Sequence, residues 1–165
     1  MKKLVCIVLS AVMMMSLAGC NVSKEIHVRK SFGNKKVNIE ELQEQEGLMF
    51  VIHERNCGEC TEEEYEASKI DMELYYDGTV KITNPVNDEG AKMSDDDYRK
   101  VYKFCTKSVE DGTFDDYKED GCDGTSYSFT FYDEDGEEHK IYSGYIYEND
   151  ELQDIVDTLS AYMLE

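Results

Sequence analysis

Apolar and polar residues alternate along residues 70–83, and this period of two predicts a β-hairpin. Met72 and Leu74 precede the turn and Val80 follows it, each with mostly polar neighbours in the chain. Asp77-Gly78 forms the turn, because glycine tolerates the positive φ angles that tight hairpin turns require. Alternation of this kind indicates an antiparallel sheet with one buried face.

A second alternating stretch, residues 127–143, predicts a second hairpin. On its outgoing strand, aromatic residues alternate with serine and threonine. Residues 133–136 form the turn, and Ile141 on the returning strand points toward the core. Upstream of both hairpins, the continuous apolar run Leu48–Ile52 predicts one more strand, which is buried.

Apolar residues recur at helical spacing after each hairpin. The first helix begins at Ser94, with Asp97 in the capping-box position. Its apolar positions are Tyr98, Val101, Tyr102, Cys105 and Val109. The second helix begins at Asn149 or Asp150. Its apolar positions are Leu152, Ile155, Val156, Leu159 and Met163.

Each half of the chain therefore has the order hairpin, loop, helix. Two such ββα units predict an α+β domain with a four- or five-stranded antiparallel sheet and both helices on one face. The apolar stripe of a helix needs an apolar sheet face to cover it, and the alternating strands supply that face.

Residues 1–20 read MKKLVCIVLSAVMMMSLAGC and have the layout of a secretory signal. The apolar run is shorter than the roughly 20 residues that a membrane-spanning helix needs. The ending Leu17-Ala18-Gly19-Cys20 resembles the bacterial lipobox at every position. This resemblance implies lipid transfer to the sulfur of Cys20 and cleavage just before it. The alternative is an ordinary signal peptide that contains a cysteine by chance.

Lipid on Cys20 would hold the chain on the outer face of the cell membrane, since two acyl chains give stable anchoring. In its signal and acidic domain, the chain resembles lipoproteins of low-GC Gram-positive bacteria. That resemblance implies a location and no activity. The expected organisation is a signal peptide over residues 1–19, a lipidated tether over residues 20–37 and one domain over residues 38–165.

Charge is distributed unevenly between the tether and the domain. The tether has five basic residues and one acidic residue, whereas the domain has 10 basic and 36 acidic residues. The tether either lies against anionic lipid, which attracts each Lys or Arg by about 1 kcal/mol, or is a solvated linker. Nucleic acid is an unsuitable partner, because phosphate binding needs a basic patch and the domain's sequence has none.

Four cysteines belong to the domain: Cys57, Cys60, Cys105 and Cys122. Exported proteins occupy compartments where disulfides persist, so a structural disulfide is one interpretation. Four cysteines allow three pairings, and sequence does not choose among them. Pairing of Cys57 with Cys60 and of Cys105 with Cys122 needs the least long-range closure.

The segment Cys57-Gly58-Glu59-Cys60 follows an apolar strand and precedes a short acidic stretch that could be helical. This order resembles thioredoxin-like proteins, and the resemblance implies thiol–disulfide exchange by Cys57 and Cys60. The chain departs from that family at Asn56, where the family usually has Trp, and at Pro85, which lies in a turn. Zinc is a third possibility for the CxxC, but a second CxxC is missing.

No metal or cofactor site is predicted elsewhere. The acidic runs at residues 94–97 and 133–138 do not fit the register of a calcium-binding EF-hand loop. They are typical of a helix start and a hairpin turn. The chain has three histidines, His27, His53 and His139, and none lies in a known hydrolase motif.

Tyrosine is abundant, with 12 residues in the chain. Tyr75, Tyr132 and Tyr142 are predicted on the sheet face opposite the core. Exposed aromatic rings stack on sugars or bury against a protein partner, and they also stiffen a sheet as cross-strand pairs. The favoured hypothesis is a non-catalytic binding or interaction module for an envelope protein or glycan. The alternative is a redox protein that uses Cys57 and Cys60.

Overall fold

The computed structural model describes residues 32, 38–56, 58–85, 88–112, 114–116 and 124–163. The strands are β1 (Leu48–Asn56), β2 (Ile70–Tyr75), β3 (Thr79–Thr83), β4 (Asp88–Lys92), β5 (Thr125–Tyr132) and β6 (Glu138–Tyr145). The helices are α1 (Ile39–Gln43), α2 (Glu62–Ala67), α3 (Asp95–Asp111) and α4 (Asp150–Ser160), and α4 continues as a 3-10 turn, Ala161–Met163. The signal peptide, Cys57 and Cys122 lie outside the described residues, as does all of the tether except Phe32.

The strands form one antiparallel sheet in the order β4-β3-β2-β1-β5-β6. Both predicted hairpins form, as β2–β3 and β5–β6, and the apolar run is the start of β1. The α+β class is confirmed, and the sheet has one strand more than the upper number predicted. The additional strand is β4, whose sequence DEGAK contains a single apolar residue and so gives no alternating signal.

One face of the sheet is covered by α3 and α4, whose apolar stripes merge with the strand side chains into a single core. The rings of Phe50, Phe104 and Phe129 meet edge to face, with centroids 5.8–6.2 Å apart. They join β1, α3 and β5 at the centre of this core. None of the helices in the described part of the chain is both long and apolar enough to cross a membrane.

Both long helices begin at the predicted polar residues. The Ser94 hydroxyl accepts a hydrogen bond from the Asp97 amide at 3.2 Å, and the Asn149 side chain accepts one from the Leu152 amide at 3.1 Å. These bonds satisfy amides that the first turn of a helix leaves without partners. The predicted starts of α3 and α4 are therefore confirmed.

Buried tyrosines tie α3 to the sheet through main-chain hydrogen bonds. The Tyr98 hydroxyl donates to the carbonyl of Tyr76 at 2.9 Å, and the Tyr76 hydroxyl donates to the carbonyl of Tyr132 at 2.8 Å. Burial raises the pKa of both phenols well above the ordinary tyrosine value, so both stay neutral donors. This chain of bonds links α3, β2 and β5 across the core.

Two β-bulges break the alternation of side chains. One lies between Leu48 and Phe50, and it turns both Met49 and Phe50 into the core. The other lies opposite Phe129 and Thr130, where β6 has one extra residue. Ile141 and Tyr142 are consequently both buried, and the exposed fraction of Tyr142 is only 3%. Tyr142 packs against Phe129 with ring centroids 6.0 Å apart, so its predicted position on the opposite face is wrong.

Replacing Tyr142 with alanine is expected to lower the free energy of unfolding by about 3–5 kcal/mol, as for other large aromatic residues removed from cores. Tyr75→Ala is the matched control, because Tyr75 lies outside this core, and it is expected to cost about 1 kcal/mol or less. Urea denaturation followed by circular dichroism measures both. Equal losses would contradict the placement of Tyr142 in the core.

Candidate functional site

The sheet face that points away from α3 and α4 is here named the open face. Five of the six strands, all but β4, contribute these side chains to it: His53, Arg55, Asp71, Glu73, Tyr75, Lys81, Ser128, Thr130, Tyr132 and Lys140. Val51 lies at its centre between Glu73 and Thr130, and only 3% of Val51 is exposed. The long side chains around Val51 therefore pack closely enough to exclude water without a covering helix from the described residues.

A charged cluster occupies the middle of the open face. Asp71 receives the Nη2 group of Arg55 at 2.6 Å, and its Oδ1 atom lies 2.7 Å from Nδ1 of His53. Arg55 also donates to the carbonyl of Ile70 at 3.0 Å. Desolvation raises the pKa of Asp71, but hydrogen bonds from His53 and Arg55 outweigh it and hold that pKa below the ordinary carboxyl value.

The register places Asp71, His53 and Ser128 side by side on β2, β1 and β5. These residue types can form a nucleophilic triad. Here Arg55 shares the Asp71 carboxylate, and no hydrogen bond joins the described side chains of His53 and Ser128. The arrangement accordingly orders this part of the surface.

Tyr75 lies at one end of the open face, beside a groove. Its hydroxyl donates to Glu73 at 2.7 Å, and the Lys81 ammonium lies 5.0 Å from its ring centroid. The groove has a volume of about 280 Å³. Its walls are formed by Gln45, Glu46, Gly47, Tyr75, Asp77, Thr79 and Lys81. An ordered ring beside amide, hydroxyl and ammonium groups is suited to binding a polar ligand.

Of the three predicted face tyrosines, two lie on the open face. Tyr75 pairs with Leu48 at the start of β1, and Tyr132 follows Phe131, which pairs with Phe50. The two tyrosines therefore flank the same end of β1. Tyr142 is in the core, as the bulge in β6 dictates.

Among the predicted cysteines, Cys60 and Cys105 have free thiols. Cys105 is fully buried in α3, and this burial raises its pKa well above the ordinary thiol value. Cys20, Cys57 and Cys122 lie outside the described residues, so the predicted lipidation and disulfide pairings remain predictions. The helix after Cys60, α2, begins with three glutamates and a capping box from Thr61 to Glu64, so its positive end is already occupied by carboxylates.

One cluster of possible metal ligands was missed by the sequence analysis. Asp133, Glu137 and His139 lie at the β5–β6 turn, with one ligand atom of each within 4.8 Å of the others. The acidic run was visible in the sequence, but its contact with His139 depends on how β6 returns along β5. The only sequence signal is that aspartate, glutamate and histidine fall within seven residues of one tight hairpin.

Comparison with known proteins finds no matching family model, no similar curated protein and no similar solved structure.

Asp71→Asn is expected to lower the free energy of unfolding by its full amount at pH values above about 4, and the loss should shrink toward about pH 3. Because the pKa of Asp71 is lower in the folded chain, its charge stabilises the fold above about pH 4, and this contribution disappears as the pH falls through the folded value. Urea titrations at several pH values measure the effect. Asp115→Asn, in an exposed loop, is the control, and a loss independent of pH would contradict the assignment.

Proposed function

We propose that this protein is a lipid-anchored, extracytoplasmic binding module that catalyses nothing and binds its partner through the open face around Tyr75. The observation that carries the proposal is the groove beside Tyr75, in which an ordered aromatic ring lies next to polar side chains. The opposite face is used entirely for the core, so the open face is the part of the sheet available for binding.

The composition of residues 1–20 supports the location. Phe32 adds a distance argument, because its ring packs on Phe131 with centroids 6.0 Å apart and its amide donates to Glu110 at 2.6 Å. A chain extends by at most about 3.6 Å per residue. From a lipidated Cys20 to a docked Phe32, the tether would reach at most about 43 Å. The domain would thus be held close to the membrane surface.

The chemistry of the groove favours a neutral or basic partner. Gln45 and Lys81 offer donors and Glu46 offers acceptors, whereas Thr79 and Asp77 are hydrogen-bonded to each other at the groove wall. Net charge over the domain is strongly negative, since it has 36 acidic and 10 basic residues. A polyanion would be repelled as it approached. A neutral glycan or a basic envelope protein could hydrogen-bond to the groove and would not be repelled by the negative charge of the domain.

Absence of catalysis is part of the proposal, and the row of Asp71, His53 and Ser128 is its most direct challenge. Hydrolysis would need Nε2 of His53 to accept the Ser128 proton, yet no hydrogen bond joins these two side chains among the described residues, and Arg55 shares the Asp71 carboxylate that would orient the imidazole. Thiol–disulfide exchange gains no support at α2, whose first turn carries three glutamates. Binding through the open face needs only an ordered surface, whereas hydrolysis needs a hydrogen bond between His53 and Ser128 and thiol–disulfide exchange needs an activated thiol.

Cys20→Ala is expected to abolish incorporation of labelled palmitate and to release the chain from the membrane fraction. The reason is that the sulfur of Cys20 would be the only attachment point for the first lipid. Cys6→Ala is the matched control, because it removes a cysteine from the same segment. Labelling that persists in Cys20→Ala would refute the anchor.

Tyr75→Ser is expected to reduce capture of the envelope partner at least tenfold, because it removes the ring that forms one wall of the groove. The measurement is crosslinking of the purified chain to envelope extract or glycan fragments, followed by quantitative mass spectrometry. Tyr147→Ser is the control, since 64% of Tyr147 is exposed in the loop after β6 and it lies outside the groove. Equal capture by the two variants would exclude the groove as the binding site.

A further inference from the structure

We propose that Asp133, Glu137 and His139 form a binding site for a divalent transition metal ion of the zinc class. The three side chains supply two carboxylates and one imidazole, and one ligand atom of each lies within 4.8 Å of the others. A metal bound to this set would have three protein ligands and an open position for water at the exposed side of Glu137.

The hairpin turn builds this set from its own backbone. The amide of Asp133 donates to the carbonyl of Glu137 at 3.0 Å, which closes the turn. Oδ1 of Asp133 accepts the amides of Asp135 and Glu137 at 2.9 and 3.0 Å. These bonds fix the carboxylate so that Oδ2 faces Nε2 of His139 at 2.7 Å. One oxygen is thus used for orientation, and the other faces the site, as is usual for metal-binding carboxylates.

His139 is held in place independently of the turn. Its ring stacks on Phe131 with centroids 6.0 Å apart, and Phe32 meets it edge to face at 6.5 Å. Only 15% of the His139 side chain is exposed, and the Asp133 side chain is fully buried. Two aromatic rings therefore surround a nitrogen donor and a buried carboxylate, a setting in which charge interactions are strong.

The charges at the turn favour a cation. Residues 133–138 contain five acidic side chains. No lysine or arginine among the described residues forms an ion pair with Glu137. A divalent ion would be attracted to the carboxylates of Asp133 and Glu137 together. The nitrogen ligand favours zinc-like ions over calcium and magnesium, which prefer sets made of oxygen alone.

Zinc coordination would require Nε2 of His139 to be free of its proton. The hydrogen bond from His139 to Asp133 would then be replaced by two metal–ligand bonds.

The test is zinc binding by the full-length chain, purified in detergent with a tag that lacks histidine and with accessible thiols alkylated. Competition with a chromophoric chelator is expected to reveal one bound zinc. Glu137→Gln should weaken binding at least tenfold, whereas Glu138→Gln, with the same charge change one residue away, should not. X-ray absorption should show nitrogen and oxygen at about 2.0–2.1 Å and no sulfur near 2.3 Å.

A second matched pair of variants distinguishes a loss of zinc binding from misfolding of the turn. His139→Gln should abolish zinc binding. His53→Gln, which alters the other histidine–aspartate pair, should leave zinc binding unchanged. Circular dichroism checks that every variant is folded. No zinc binding by the wild-type chain would overturn the proposal. So would equal affinities of the Glu137 and Glu138 variants, or displacement of zinc by equimolar calcium.

Discussion

Burial of one sheet face beneath α3 and α4 is the constraint on which the rest of the molecule depends. The two helices contribute all of their apolar residues to the same core as the strands, and Tyr98 fastens α3 to β2 by a buried hydrogen bond. No described helix covers the other face, so the side chains there must pack against one another and form hydrogen bonds and ion pairs among themselves. The Asp71 cluster and the packing around Val51 are the result, and they make the open face polar yet ordered.

The parts of the fold that were predictable are those in which local pattern and tertiary burial agree. In α3 and α4, a polar cap is followed by an apolar stripe, and both signals place the same residues in the core. The hairpin β2–β3 has alternation and an Asp-Gly turn that specify the same register. Strand β4 had no such agreement, because it pairs with β3 through the backbone ladder while the sequence DEGAK gives no periodic signal.

The misplacement of Tyr142 has a single physical cause. Sequence alternation assigns Ile141 to the core and Tyr142 to the opposite face, which holds only while β6 pairs with β5 without interruption. One extra residue in β6 lets both side chains enter the core. A bulge leaves no mark in a hydrophobicity pattern, since it depends on how two strands fit together. Tyr75 and Tyr132 were placed correctly because the extra residues of the two bulges belong to β1 and β6, so the alternation along β2 and β5 is unbroken.

The β5–β6 hairpin is in contact with Phe32. Phe131 and His139 are paired residues of β5 and β6 on the covered face, and Phe32 packs against both rings. His139 also contacts Asp133, so one imidazole touches both Phe32 and the carboxylate that organises the turn. Any change that reorients this imidazole, including metal binding, must alter its contact with Phe32. The position of Phe32 and the carboxylate that organises the turn are therefore coupled through His139.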